Sequence, residues 1–514
     1  MKKLLLMLAM ILPVSAYSSE FHTSNELLMY YNDITGAGKS QSSLTDGFNY
    51  MDTLNLYGSD ERDGLKYNYN LGLKFTDDRR NDVKNISITN LNGSFNKDAH
   101  SLALGDIFES FSQYTLASSL KGMQYKFKKD DSKLPEVTAV FGYPYPRWDS
   151  VWKDTKTAVT KRQVYGARLD ENLGELNLGV NYLKSHDVEL VNDNAKYDSK
   201  NYSFDLDYII IPGLTLNGEY AKSDYDEKVS ATSADGNAYR MEIVGDADPS
   251  RVSIEYENID PDFLSLLGSA VPDRKKIKTG WRYKYSKLKT FNTALLWYRD
   301  NLDGQKTATT YSLRPEISMA VKKVIPSRPY SYANFSYKFD RRYGINSQKD
   351  HYFNVNYRDK FNEIDNDTNL GYTLYKTDSK IRDASEINFN TSFNTRLESQ
   401  DSVYTPQLNL GSWYSNDDLS NQTDKIYEYS LGLGYEKPNS NITADVRLGQ
   451  NFLRKEVGDD SAKLFASLNV YYRTSIMNLD STVFLRAGYN NYNFSTDSND
   501  FREKSISLGL NTAF

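Results

Sequence analysis

Residues 66–75 read Lys-Tyr-Asn-Tyr-Asn-Leu-Gly-Leu-Lys-Phe. In an extended chain successive side chains point to opposite sides. Tyr67, Tyr69, Leu71, Leu73 and Phe75 therefore share one face, and Lys66, Asn68, Asn70, Gly72 and Lys74 share the other. Such a strand meets an apolar medium on one side and water on the other. The cadence returns at 175–182, where Leu176, Leu178, Val180 and Tyr182 oppose Glu175, Asn177, Gly179 and Asn181. It recurs at 202–208, 277–285, 333–340, 427–436 and 482–490. Segments of this kind, separated by Asp, Asn, Ser, Gly and Lys turns, run along the whole chain, and about 24 can be marked.

Composition agrees with an all-β reading. The 514 residues are 39% hydrophobic, 25% charged and 13% aromatic, with 41 Tyr and no Cys. An apolar fraction this low suggests disorder, yet disordered chains are poor in aromatics. A phenol ring gives apolar area with a polar tip, which suits strands wetted on one face. The absence of Cys excludes disulfides, thiolate metal sites and a Cys nucleophile. His22, His100, His186 and His351 lie far apart without metal-site spacing, so no metal or other cofactor is expected. A formal net charge of −6 lacks the basic surplus that phosphate backbones require, so nucleic acid is not an expected partner.

Residues 1–16 have the form of a secretory signal peptide. Lys2 and Lys3 precede the apolar run Leu4–Leu12, and Val14 and Ala16 occupy the small-residue places before a cut after Ala16. Beyond Ala16 no stretch is long and apolar enough for a membrane-crossing helix. The remaining spanning structure is a closed barrel. A soluble two-sheet sandwich would bury the apolar rows inward, but a single domain of so many strands has no natural two-sheet solution. The expected organisation is a signal peptide at 1–16, an N-terminal segment at 17–47 that includes a candidate first strand, and a single transmembrane antiparallel β-barrel over 48–514. At roughly 20 residues per strand with its loop share, about 24 strands are expected, within a range of 22–26.

The final residues Ser505–Phe514 alternate with Ile506, Leu508, Leu510 and Phe514 on one face. This resembles the C-terminal assembly signal of Gram-negative outer-membrane β-barrel proteins, although Thr512 stands where an aromatic is commoner. The resemblance implies export, insertion into the outer membrane by the barrel assembly machinery, and contact with outer-membrane lipid and lipopolysaccharide. Gly105-Asp106, Phe108, Phe111, Leu116 and Leu120-Lys121-Gly122 resemble a stretch of large uncharacterised outer-membrane barrels, and no function comes with that likeness.

If the apolar rows face lipid, the opposite rows line a lumen too wide for side chains to fill. Those rows supply Lys66, Lys74, Lys278, Arg282, Lys284, Arg358, Arg447, Arg473 and Arg486, with Glu175, Asp205, Asp207, Glu219, Glu255, Glu257 and Glu428. The basic side chains at 278–284 and the carboxylates at 205–219 and 255–257 could form opposed walls across a constriction. Two apolar irregular stretches could fold inward: Pro144–Lys161, with Trp148 and Trp152, and Asp260–Lys275, with Phe263 and Leu266. The expected function is a porin-like hydrophilic channel for polar solutes or polymers. One alternative is a barrel scaffold or adhesin holding a periplasmic or extracellular partner. A second is an outer-membrane hydrolase, for which no nucleophile motif is visible.

Overall fold

The computed structural model describes residues 20–129, 134–152, 160–189, 196–377 and 381–513. The stretch expected to be a signal peptide, 1–16, together with Phe514 and the side chain of Trp152, lies outside the described residues. Among the described residues 26 strands form one antiparallel closed barrel, and the short strand Leu397–Ser399 lies outside the ring. Closure is made by Glu20–Thr35, which pairs with Phe501–Ala513 on one side and with Gly47–Arg62 on the other. The wall thus begins at Glu20, inside the stretch set apart as 17–47. Among the described residues no helix is long and apolar enough to cross a membrane.

Alternation dictates which row points where. Leu431, Leu508, Leu448, Val446 and Ile254 are 61%, 53%, 52%, 49% and 53% exposed on the convex side. On the opposite side Asn181, Ser203, Ser430 and Glu257 are buried. A layer with greasy residues outermost and polar ones innermost inverts a water-soluble protein, and it suits a hydrocarbon surround. Exposed tyrosines and tryptophan, such as Tyr31, Tyr165, Tyr220 and Trp281, stand among the outward rows.

The two ends of the barrel differ. The end bearing both termini is turned mostly by tight connections, such as Asp63-Gly64 and Met477-Asn478, whose φ values are all positive. Positive φ at both central residues matches the twist of flanking strands. The other end carries the longer connections, including 36–46, 77–85, 144–160, 260–273 and 300–310.

One place in the wall departs from regularity. The strands Ile86–Lys97 and His100–Ser110 pair only from Lys97–His100 to Asn92–Gly105, so Ile86–Leu91 and Asp106–Ser110 have no rungs between them. The cause is a row of glycines in register: Gly105 faces Gly122, which faces Gly142. Gly105 has φ +99, and a Cβ there would sit 2.0 Å from the Leu91 carbonyl oxygen. Only glycine permits that approach. Beyond this row the hairpin formed by His100–Ser110 and Ala117–Phe127 leans into the barrel. The notch it leaves is filled by the connection after Tyr143. Asp106 accepts hydrogen bonds from Leu91 N, Trp148 Nε1 (2.9 Å) and Lys121 Nζ, while Arg147 reaches Asp82 and Ser87 (3.0 and 2.8 Å).

Candidate functional site

The leaning hairpin places its tip, residues 111–116, against the inner wall. Tyr114, Leu116 and Thr115 are fully buried there. The Tyr114 hydroxyl donates to Glu257 Oε2 (3.1 Å), its amide donates to Glu219 Oε1 (3.1 Å), and Gln113 Nε2 reaches Glu257 (3.2 Å). Arg168 donates to the Phe111 carbonyl. Ser112 Oγ lies 3.1 Å from Ser203 Oγ. Burial, reinforced by the Glu257 and Glu219 carboxylates, pushes the Tyr114 phenol well above its usual range, so it stays a donor.

The second inward segment is 260–273. Phe263 packs edge-on against Tyr114, with ring centroids 5.9 Å apart. Leu264 is held by backbone bonds at both ends: its amide donates to Ser223 Oγ (2.9 Å) and its carbonyl accepts from Asn201 Nδ2 (2.7 Å). The two segments also join each other, through Ala117 N to Leu267 O and Ser269 N to Gln113 O, both 2.8 Å. An apolar cluster of Ile107, Phe111, Leu116, Leu120, Val140, Val164, Leu183 and Leu267 forms beneath them, with Leu266 packed on it. Buried aliphatic and aromatic groups of this size each contribute about 1.5–3 kcal/mol, which offsets the ordering of two loops.

Register places every charged lumen candidate on the inward row of its strand, apart from Glu175, which sits at the turn before Leu176. The structure brings Asp205, Glu219, Glu255 and Glu257 together beneath the infolded segments. Lys66, Lys74, Arg358, Glu428, Arg447, Arg473 and Arg486 are distributed elsewhere around the ring. Phe263 and Leu266 lie in the infolded group, whereas Trp148 occupies the wall notch.

The carboxylates at 205–257 do not stand as an acidic wall. Arg168 pairs with Asp205 (2.9 Å). Arg240 bridges Glu242 and Glu255 (2.6 and 3.0 Å), Lys276 bridges Glu255 and Glu257 (2.8 and 3.0 Å), and Arg274 reaches Glu257 (3.3 Å). These four basic residues, with Tyr114 and Gln113, were not singled out by sequence reasoning. Arg240 was accessible to it, because Tyr239, Met241 and Ile243 mark the outward row that leaves Arg240 and Glu242 inside. Among the described residues no cluster of His, Asp and Glu could hold a metal ion.

Several solved barrels show similarity at low identity. The outer-membrane transporter YddB from Escherichia coli is 9% identical, with 97% of this chain and 81% of that chain covered at TM-score 0.45. OccD3 of Pseudomonas aeruginosa is 9% identical over 64% of this chain and 88% of its own, at TM-score 0.36. The translocation pore of the P pilus usher PapC is 7% identical over 96% and 99%, at TM-score 0.38. No curated protein matches the chain. The family model for the S-layer protein SlpA, beta-barrel domain, matches residues 30–294, a span that contains the leaning hairpin, the inward segment at 260–273 and the paired-charge wall. The chain belongs to this SlpA beta-barrel domain family.

Proposed function

We propose that the protein is a hydrophilic channel of the outer membrane, narrowed on one side by the hairpin tip at 111–116 and the segment at 260–273. The observation that carries this reading is the anchoring of both segments to the inner wall through Tyr114, Asn201 and Ser223. A 26-strand ring encloses more space than its own side chains occupy. Two segments pinned to one wall reduce that space without crossing it. Passage is passive in this reading, and selectivity comes from width and from the inward polar rows. The outward apolar belt supports the bilayer location, and the end with the longer connections is the external one.

Purified protein in a planar bilayer should give stepwise conductance. Removal of residues 262–269 should raise the unit conductance by a factor of roughly two, because the narrowing is shared by two segments. Silence from protein that is correctly folded would overturn the channel reading.

The family match favours a second reading, in which the barrel anchors a surface layer. That reading expects a partner protein to copurify with the barrel and to be lost when the external connections are trimmed.

A further inference from the structure

The wall opposite the infolded segments has a different chemistry. On the inward rows of Ile364–Thr377, Asp383–Thr395, Ser402–Asp417 and Gln422–Lys437, the mid-wall positions are Asn369, Gly371, Asn388, Asn390, Ser392, Gln407, Asn409, Gly411, Trp413, Ser430 and Gly432. These positions carry no formal charge. Three inward charges adjoin them: Asp367 faces Ser392 and pairs with Arg358 (2.7 Å), Glu428 faces Gly411 and accepts from Asn451, and Arg447 donates to the Ser430 hydroxyl (2.9 Å).

The glycines shape the surface. A Cβ at Gly371 would fall 2.3 Å from Asn388 Oδ1, and one at Gly411 would fall 2.9 Å from Asn390 Oδ1. The space a side chain would take is filled by the neighbouring amide, and Asn388, Asn390 and Gln407 remain exposed. Trp413 stands beside Asn388 in register. A recess of about 290 Å³ opens among Asn369, Asn390, Ser392 and Asn409, with the charged side chains Asp367, Glu428 and Arg447 also lining it.

We propose that this wall is a binding track for uncharged polyhydroxylated solutes, that is, short neutral oligosaccharides. The inference rests on the channel reading and names its solute class. A hydroxyl needs both a donor and an acceptor, and one amide presents both without a charge that must be desolvated. The indole offers an apolar plane to the C–H face of a pyranose. On the facing wall, Arg168, Arg240, Arg274 and Lys276 are engaged by carboxylates and offer such a solute little gain.

The test uses full-length protein and a linear neutral gluco-oligosaccharide of about six units, with polyethylene glycol of equal size as the control. In a planar bilayer the sugar should interrupt the current for longer than the polymer does. The double variant N390L/N409L should shorten those interruptions at least tenfold, while open conductance stays the same. Equal interruption by sugar and polymer, or an unchanged residence time in the variant, would overturn the track. In detergent, with no channel required, the same sugar should shift tryptophan fluorescence in the native chain and not in Trp413→Phe. A silent bilayer with a retained fluorescence shift would fail the channel reading alone. An active channel without the shift would fail the track alone.

Discussion

Tyr114 joins the two infolded segments to the wall, and its loss can be priced from its bonds. Tyr114→Phe keeps the ring against Phe263 but removes a donor from the fully buried Glu257 carboxylate. The carboxylate keeps Gln113, Lys276 and Arg274, so the loss is one hydrogen bond to a charged group, about 1.5–3 kcal/mol. The unfolding midpoint, read by heat-modifiable gel mobility, should fall, and the unit conductance should become noisier as the tip loosens. Phe263→Ala removes the aromatic partner and should cost more, about 3–5 kcal/mol at the same readout.

Asp82 is a second residue-scale test. Its burial alone would raise the carboxyl, but the Lys84 amide, the Arg147 guanidinium and the Ser87 hydroxyl outweigh that and hold it below the usual carboxylate range. A group depressed in the folded state contributes stability that is complete above its ordinary pKa and is lost as pH falls through the folded value. The 144–149 connection should therefore become more accessible to protease below about pH 4. Asp82→Asn should remove that pH dependence and leave the connection equally accessible at neutral pH.

At the scale of the element, the hairpin of His100–Ser110 and Ala117–Phe127 leans inward because three glycines meet across three strands. Gly105→Val would put a branched side chain where the Leu91 carbonyl already stands, so the strand must move away or fail to pair. The expected outcome is a lower folded yield, and in the folded fraction a larger conductance as the tip withdraws. A variant with native yield and conductance would show that the glycine row does not cause the lean. Period-two alternation at 66–75 or 427–436 is legible in the sequence because lipid and water on two sides of one layer leave every second residue apolar. The lean is not legible in the same way. Gly105, Gly122 and Gly142 look unrelated along the chain and become one row only when register is set. The apolar content of 260–275 did point inward, whereas Trp148, in an equally apolar stretch, fills a notch created by that lean.

At the scale of the whole molecule, the strand count reaches the upper end of the expected range because many connections at one end are tight turns, leaving residues for two more strands. The charges at 205–257 were readable as inward, but their neutralisation by Arg168, Arg240, Arg274 and Lys276 depends on cross-strand neighbours. The lumen therefore has two unlike walls, one of paired charge and infolded chain, the other of amides and glycine. Salt should screen the paired wall only weakly, because its ions are close and partly desolvated, and ion selectivity should stay near neutral between low and high salt. Reversal potentials across a salt gradient check this.

Both the barrel's placement and the channel reading require the apolar rows to touch hydrocarbon and the polar rows to touch water. With no native cysteine, single cysteines can be placed at Leu431, Val446 and Leu508 and, for the inner face, at Asn409, Ser430 and Ser507. In bilayers, fluorophores on the first three positions should be quenched by brominated lipid and unreached by a water-soluble quencher, and the second three should behave in the opposite way. Lipid quenching at Asn409 and Ser430, with water access at Leu431 and Leu508, would contradict the barrel's placement in the membrane and the channel built on it.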